Sequence, residues 1–339
     1  MLASAAKQLA LECGFELAGV ARALPLPSHT AAYTDWLAHG YAGEMHYLTG
    51  RRAALRADPR LLLPSARSII CAGKLYNTPA SYSTEFGEPD RAWISRYAWG
   101  ADYHDILRRG LERLALRLGE IEPLESKVCV DTAPLLERAY AREAGLGWIG
   151  KNTCLINQPL GSWFFLGELL VSLDLEPDSP PPSRCGTCTR CIDDCPTDAL
   201  SPEGVLDSRL CISYFTIELR CPIPTARRQE LANNVFGCDI CQDVCPWNRR
   251  APRTPDPEFA DVHHAPPLER LATLTEEEFR SMFRSSPVAR AKYSGFLRNV
   301  AVAMGASRLA KFREPLERLA ASADPLVSEH ARWALARLA

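Results

Sequence analysis

Four runs of apolar, β-prone residues alternate with helical patterns in the first half of the chain. The runs are F-E-L-A-G-V, S-I-I-C-A-G, K-V-C-V-D and F-F-L-G-E-L-L-V-S-L, which begin at residues 15, 68, 127 and 164. This alternation predicts an α/β sheet domain over residues 1–176. The first residues predict an amphipathic helix, with Ser4 as its N-cap and Gly14 as its stop.

The C-terminal region, residues 258–339, shows helical periodicity. Helices are predicted near Val288–Ser307 and Leu309–Ala321, and a third begins after Asp324, with Pro325 in its first position. Short helices joined in this way resemble HEAT repeats. Two helical hairpins cannot bury their apolar faces alone, so they are expected to pack on a neighbouring domain.

Composition and charge are those of an ordinary globular protein, with 339 residues and a net charge of -2. Lys7 and Glu12 interrupt the N-terminal apolar residues, so no signal peptide is predicted. The most apolar run, residues 163–173, is too short to span a bilayer. We therefore expect a cytoplasmic protein with no membrane association. Pro-rich stretches at residues 177–183 and 251–257 predict linkers around a middle domain, residues 177–257.

Nine of the thirteen cysteines lie between Cys185 and Cys245. In a reducing compartment, this density indicates metal ligation rather than disulfides. The run C-G-T-C-T-R-C-I-D-D-C-P follows the ferredoxin pattern for two [4Fe-4S] clusters more closely than it follows the separate C-x-x-C pairs of zinc sites. A second run, G-C-D-I-C-Q-D-V-C-P, ends in the same C-x2-C-x3-C-P spacing as the first run. The scattered cysteines are predicted to be small buried apolar residues, namely Cys13, Cys71, Cys129 and Cys154.

Two clusters need eight thiolates, and the two runs supply seven, which leaves Cys211 and Cys221 as candidates for the eighth. We predict Cys211 as the ligand and Cys221 as a spare thiol. One cluster is assigned to Cys185, Cys188, Cys191 and Cys245, and the other to Cys195, Cys211, Cys238 and Cys241. The C-x3-C-x2-C triplet of radical S-adenosylmethionine chemistry is absent, so the clusters are expected to relay electrons to chemistry elsewhere.

The segment Lys127–Thr153 contains the most informative polar residues outside the cysteine block. A strand is predicted to end at Asp131, and a helix is predicted to follow, with Thr132 as cap, Pro134 in its first turn and Gly145 at its end. In an open α/β sheet, Asp131 would point into a ligand crevice. The alternative is that the Asp131 carboxylate has only a structural role, as a negative charge that interacts favourably with the N-terminal end of the helix dipole.

Two further features limit the choice of ligand. Lys151 and Asn152 follow closely spaced glycines and offer hydrogen-bond donors to a ligand, although the segment could also be an ordinary turn. Neither G-x-G-x-x-G opening a helix nor G-x4-G-K-[ST] occurs in the sequence. A flavin or nicotinamide is therefore not supported.

Taken together, the motifs resemble those of the epoxyqueuosine reductase family. They are C-V-D-T-A-P, G-L-G-W-I-G-K-N-T, the first cysteine run, C-I-S-Y-F-T-I-E-L and F-G-C-D-I-C-Q-D-V-C-P-W-N, and the resemblance extends from about Arg51 to Ala339. It implies a cobalamin-dependent oxidoreductase that reduces epoxyqueuosine to queuosine at the wobble position of transfer RNA, the last step of queuosine synthesis. Reductive dehalogenases share both kinds of cofactor and are the alternative, although they normally carry an export signal.

The resemblance also implies individual site residues. Asp131 matches the proton donor of the family, a role for which we expect a raised pKa. The family binds cobalamin base-off, which agrees with Leu107 at the glycine position of a D-x-H-x-x-G pattern. His104 in that pattern is then a pocket or structural residue. The residues that match cobalamin contacts by motif position are Arg56, Tyr97, Asp131, Lys151, Asn152 and Ser213.

Basic residues are concentrated between Arg280 and Arg313, a stretch with eight Lys or Arg and no Asp or Glu. A local excess of this kind indicates a nucleic-acid surface better than net charge does. Combined with the resemblance, it predicts that residues 258–339 bind transfer RNA through Arg284, Arg290, Lys292, Arg298 and Lys311. We expect a monomer that receives electrons from a reductant that the sequence does not identify.

Overall fold

The structure is a computed structural model and describes residues 2–338. The α-helices are α1 (Leu2–Glu12), α2 (Pro27–Ala38), α3 (Gly50–Leu55), α4 (Tyr103–Gly119), α5 (Glu137–Glu143), α6 (Arg190–Asp193), α7 (Ile240–Asp243), α8 (Leu268–Ala272), α9 (Glu276–Met282), α10 (Lys292–Ser307), α11 (Arg313–Ala320) and α12 (Pro325–Leu335). The strands are β1 (Leu17–Arg22), β2 (Ser68–Leu75), β3 (Trp93–Ile94), β4 (Ser126–Cys129), β5 (Trp148–Ile149), β6 (Leu155–Ile156), β7 (Phe164–Val171) and β8 (Asn234–Phe236).

The four strands predicted in the first half of the chain are confirmed, and they form one sheet in the order β1-β2-β7-β4. Every pairing in this sheet is antiparallel. The alternation of helix and strand therefore identified the elements but not their direction. Because the strands are antiparallel, the rule that places ligands at the carboxyl ends of parallel strands does not explain the position of Asp131.

Helices cover both faces of this sheet. Ile70 of β2 and Leu169 of β7 pack on one face against α1 and α4. Their neighbours in the chain, Ile69 and Leu170, point to the opposite face, which α5 covers. All eight residues of β2 are buried, as expected for a strand enclosed on both sides.

The loop that carries Asp131 differs from the prediction. The strand β4 ends at Cys129, and α5 begins at Glu137 with Leu136 as its N-cap, so Thr132 does not cap this helix. Gly145 follows the helix with a φ of +79°, as a terminating glycine does. At the N-terminus, Ser4 lies inside α1 rather than at its cap, while Gly14 stands just after the helix.

The cysteine-rich middle of the chain is built from short elements. The helix α6 contains Cys191 of the first run, the helix α7 contains Cys241 of the second run, and the two helices pack together. A π-helical turn at Tyr214–Glu218 follows Cys211. The strand β8 joins this region to the first half of the chain, because it pairs in parallel with β3.

The C-terminal helices pack on both preceding regions. Asp324 caps α12 by accepting the backbone N–H of Leu326 at 2.8 Å, as predicted. One apolar core joins Trp93 of β3, Phe236 of β8 and Phe296 of α10. This core crosses the boundaries predicted at residues 176 and 257, while the HEAT-like character of the helices stays a prediction.

Within residues 2–338, no helix is both long and apolar enough to cross a membrane.

Candidate active site and cluster-binding region

The Asp131 side chain stands on the loop between β4 and α5, two residues beyond the end of the strand. Its φ of +43° is unusual for a residue with a side chain, and such a conformation persists where surrounding contacts hold it. Arg52 donates to the carbonyl of the next residue, Thr132, and Tyr103 lies beside the Asp131 carboxyl. These contacts fix the loop while leaving 43% of the Asp131 side chain exposed.

His104 connects Asp131 to a second carboxyl group. Its Nε2 lies 3.1 Å from Oδ2 of Asp131, and its Nδ1 lies 2.7 Å from Oδ1 of Asp102. Asp102 also caps α4 by accepting the His104 backbone N–H at 3.0 Å. The first turn of this helix therefore holds the imidazole between two carboxylates, which the sequence pattern alone did not suggest.

The expected rise in the pKa of Asp131 is wrong for this arrangement. Burial raises the pKa of Asp131, but the hydrogen bond and charge of His104 outweigh burial and place the pKa below its ordinary value. Burial lowers the pKa of His104, whereas its hydrogen bonds to Asp102 and Asp131 raise that pKa to about 9. At neutral pH the transferable proton is therefore held on His104, next to the Asp131 carboxylate.

A buried carboxyl pair, Glu137 and Glu168, lies behind the Asp131 loop and was missed by the sequence reasoning. Glu168 is 0% exposed on β7, and neither of its oxygens has a donor among residues 2–338. The two carboxyls are nevertheless close enough to hydrogen-bond to each other, which requires a proton on one of them. Burial, followed by the charge of Asp131, raises the pKa of Glu137 to about 8.

The side of the Asp131 loop near α3 contains two of the predicted cobalamin contacts. Arg56 is 6% exposed, so it is not a surface charge, and it donates to the backbone carbonyl of Arg52 at 3.0 Å. Tyr97 lies near Asp131 and also approaches Gly237, the residue before Cys238. Burial and the Asp131 charge raise the pKa of Tyr97, so its hydroxyl stays protonated.

The other predicted contacts lie beside the cysteines. Asn152 is buried and donates to the backbone carbonyl of Cys241 at 3.1 Å. Ser213 lies beside Cys211. Lys151 instead forms an ion pair with Glu203 at 2.8 Å.

These positions are compatible with a cofactor placed between the Asp131 loop and the cysteines. Tyr97 connects the two areas, because it approaches both Asp131 and the backbone next to Cys238. Both nitrogens of His104 already face carboxylates, so this histidine presents no free nitrogen to a cobalt ion. That geometry fits base-off cobalamin without a histidine ligand.

The cysteines fall into the two groups that were predicted as cluster ligands. Cys191 lies close to Cys185, Cys188 and Cys245. Cys238 lies close to Cys195 and Cys211, and Cys241 is near Cys238 and Cys211. Among residues 2–338 no three His, Cys, Asp or Glu side chains converge on a single ion. Ligands of a four-iron cube bind different irons, so this grouping fits two [4Fe-4S] clusters.

The remaining cysteines occupy different surroundings. Cys221 is exposed, and its Sγ donates to the Glu44 carboxyl at 3.3 Å, so the structure does not bring it to either group. Cys13, Cys71 and Cys129 are buried, as predicted. Cys154 is an exception, because it is only partly buried and its sulfur contacts that of Cys241.

Trp148 is a further residue that the sequence reasoning missed. Its Nε1–H donates to the sulfur of Cys185 at 3.4 Å, and its ring packs on Cys245. Hydrogen bonds to cluster sulfurs influence reduction potential. The only signal in the sequence was an aromatic residue between the glycines of G-L-G-W-I-G.

The predicted RNA contacts are not equivalent in the structure. Arg298 is 0% exposed and donates to the carbonyls of Phe215, Leu219 and Cys221, so its assignment to RNA binding is wrong. Burial lowers its pKa to about 10. The sequence periodicity predicted that Arg298 lies on a helix, but it did not show that the side of the helix carrying Arg298 is buried in the protein.

The other basic residues lie nearer the surface. Arg290 is half-buried, bonds to Glu218 at 2.8 Å and is close enough to Asp131 to lower the pKa of that carboxyl. Lys311 forms an ion pair with Asp90 at 2.7 Å. Arg284 and Lys292 are exposed and have no ion pair within residues 2–338.

Comparison with known proteins identifies two families along the chain. The family described as 4Fe-4S double cluster binding domain matches residues 184–248. The family described as Epoxyqueuosine reductase QueG, DUF1730 matches residues 56–132. The first match supports a double-cluster domain in the cysteine-rich region, and the second ends one residue after Asp131.

Individual relatives extend the similarity to nearly the whole chain. Epoxyqueuosine reductase of Xanthomonas campestris pv. campestris is 42% identical over 340 residues, which cover 98% of this chain and 94% of the relative. A crystal structure of epoxyqueuosine reductase with a tRNA-Tyr epoxyqueuosine-modified stem loop has a TM-score of 0.91 at 29% identity, covering 99% of this chain and 91% of the other.

A Bacillus subtilis epoxyqueuosine reductase, solved with its catalytic loop swung out of the active site, has a TM-score of 0.80 at 26% identity over 100% of both chains. The sequence similarity, the fold and the order of motifs therefore agree, and this chain belongs to the epoxyqueuosine reductase family.

Proposed function

We propose that this protein reduces epoxyqueuosine in transfer RNA to queuosine, with cobalamin, two [4Fe-4S] clusters and Asp131 as the proton donor. The observation that carries the proposal is the position of the Asp131–His104 pair, because Tyr97 lies near Asp131 and also approaches the backbone next to Cys238. A proton source and an electron path then meet at one site, as removal of an epoxide oxygen requires. Family membership supports the substrate, and the relative with the modified stem loop supports its presentation within RNA.

The reaction needs two electrons and two protons for each epoxide and releases one water. Bound cobalamin would supply a low-valent cobalt centre for the electrons, which the clusters would deliver singly. Arg56, Tyr97, Asn152 and Ser213 are the residues we propose to hold the cofactor, with Lys151 as a further contact if its Glu203 partner is displaced.

Two carboxylates and a histidine of this protein would hold and deliver the proton that the epoxide oxygen needs. Asp131 is exposed enough to meet a substrate, whereas His104 is only 22% exposed and stands behind it. We propose that Asp131 passes the proton held on His104 to the epoxide oxygen as negative charge develops there. Asp102 orients the imidazole and keeps its proton bound at neutral pH.

Transfer RNA would approach the same side. Arg290 is close to Asp131, so it can meet the anticodon near the reacting nucleoside, while Arg284 and Lys292 offer unpaired charges to phosphates. Lys311 would first have to leave Asp90. Each phosphate neutralised should contribute about -0.7 to -0.9 to the slope of log affinity against log salt.

The test is anaerobic reconstitution with iron, sulfide and cobalamin, followed by incubation with stem-loop RNA carrying epoxyqueuosine. Nucleoside mass spectrometry should show queuosine for the wild-type protein. Asp131→Asn should bind the RNA with unchanged affinity and form at least a hundredfold less product. Full cofactor content without conversion by the wild-type protein would reject the proposed reaction. Full conversion by Asp131→Asn would reject only the role of Asp131.

A further inference from the structure

An open cleft of about 590 Å³ lies next to the first group of cysteines. Its lining consists of Gln158, Pro159, Pro246, Trp247, Arg249 and Arg250. None of these residues belongs to the Asp131 site, and the proposed reaction gives none of them a role. We call this feature the Trp247 cleft.

Aromatic contacts connect the Trp247 cleft to the cysteine sulfurs. The ring of Trp247 packs edge-on against Trp148, with 5.1 Å between centroids. Trp148 in turn donates its indole N–H to the sulfur of Cys185 and packs on Cys245. Electron transfer through protein weakens steeply with distance, so this short chain of contacts makes the cleft a favourable entry point for electrons.

The two groups of cysteines face different parts of the molecule. The group of Cys195, Cys211, Cys238 and Cys241 lies next to residues that we propose to hold cobalamin, since Asn152 donates to the backbone carbonyl of Cys241 and Ser213 lies beside Cys211. The group that contains Cys185 and Cys245 instead faces Trp148 and the cleft. The residues between Cys185 and Cys188 are exposed. Electrons would therefore enter at the Cys185 group and leave from the other.

The charge of the cleft indicates its partner. Arg249 and Arg250 are exposed, and neither forms an ion pair with any residue in the range 2–338. No acidic residue lines the cleft, while Trp247 and two prolines provide an apolar floor. Exposed Arg beside a partly buried Trp is typical of protein-binding surfaces, and opposite charges accelerate brief encounters such as electron transfer.

We propose that the Trp247 cleft is the docking surface for the electron donor, an acidic protein that carries a one-electron redox group near its surface. The inference rests on the proposed function, which requires an external source of electrons. Each epoxide would consume two one-electron transfers and two protons, so that the donor is oxidised twice for each water released. Transfer RNA is the other polyanion available, and the test separates the two.

Reduced flavodoxin, an acidic flavoprotein, is the probe. The variant Arg249→Glu/Arg250→Glu is compared with Arg108→Glu/Arg113→Glu, which makes the same charge change on exposed residues of α4. The first measurement is the Kd of flavodoxin for the reconstituted protein at low and high salt. The second is the rate at which flavodoxin bleaches the cluster absorbance, with dithionite as a small-molecule reductant. Neither measurement uses epoxyqueuosine, so both remain informative if the proposed function fails.

The cleft variant should bind flavodoxin at least tenfold more weakly at low salt, with a smaller difference at high salt. Bleaching by flavodoxin should slow to a similar extent, whereas bleaching by dithionite and affinity for the RNA stem loop should match wild type. Equal loss in the α4 variant, unchanged flavodoxin binding in the cleft variant, or no binding by wild type would overturn the proposal. Loss of RNA affinity with flavodoxin binding retained would assign the cleft to RNA.

Discussion

Replacing Asp102 with Asn should move the alkaline limit of the reaction to lower pH. In the wild-type protein, Asp102 and Asp131 both hydrogen-bond to His104 and together raise the pKa of its imidazole to about 9. In the proposed mechanism, the proton that Asp131 passes on is therefore present on His104 below that pH and is lost as the pH rises through it. Asn keeps the cap of α4, because its side-chain oxygen can still accept the His104 N–H, but it removes one negative charge.

The size of the effect follows from the shared contribution of the two carboxylates. A rise from 6.5 to about 9 corresponds to about 3.4 kcal/mol in favour of the protonated imidazole. If Asp102 supplies half of this rise, the pKa of His104 falls by about 1.25 pH units in the variant. The rate at pH 8.5 should then drop about fivefold relative to wild type, while the rates at pH 6 stay within about twofold.

The assay is single-turnover conversion of the modified stem loop by prereduced protein across pH 6–10, which isolates the chemical step from electron delivery. Asp105→Asn is the matched control, since Asp105 is an exposed carboxylate in the first turn of the same helix. Its profile should coincide with wild type. An unchanged alkaline limit in Asp102→Asn, or an equal loss of rate at every pH, would refute the assignment of the stored proton to His104.

Three other predictions test separate parts of the structure. Glu137→Gln should have a higher melting temperature than the wild-type protein, and the difference should grow between about pH 4.5 and pH 8. The reason is that the pKa of buried Glu137 is raised to about 8, so the wild-type protein loses stability as the pH rises through this range. A difference in scanning fluorimetry that does not change with pH would contradict this prediction. After reconstitution, a colorimetric iron assay should find about half of the roughly eight irons in Cys211→Ser and the full iron content in Cys221→Ser. Iron loss in Cys221→Ser but not in Cys211→Ser would make Cys221 the ligand and Cys211 the spare thiol. Arg298→Leu should destabilise the fold by about 3 kcal/mol or more in thermal denaturation, because three buried carbonyls lose their donor, at about 1 kcal/mol or more each. Stem-loop affinity in filter binding should be unchanged, whereas weaker RNA binding by folded protein would restore Arg298 as an RNA contact.

The sequence was most informative where spacing itself has chemical meaning. The cysteine runs predicted two groups of four, and the structure brings the same residues together, although ligation stays a prediction. Asp131 was identified from its motif, and its loop does carry an exposed carboxyl beside other titratable groups. The four strands were also predictable, because each lies in a short run rich in β-prone apolar residues.

The sequence was uninformative where function depends on residues far apart in the chain. The pKa of Asp131 depends on His104, which is 27 positions away, and so no local pattern could give its direction. Glu137 and Glu168 meet only because α5 packs across β7. The sequence predicted Arg298 as one of several exposed cations, whereas its side chain is buried inside the fold.

The apolar core shared by β3, β8 and α10 has a consequence for how this protein can be divided. A truncation at residue 257 would strip the cover from Trp93 and Phe236, whose side chains are 1% and 0% exposed in the intact chain. The strand β8 ends two residues before Cys238, so exposing this core would disturb the segment that carries a cysteine of the second group. The C-terminal helices are therefore unsuited to exchange as a detachable module, because any change in their packing also reaches the segment that leads into Cys238.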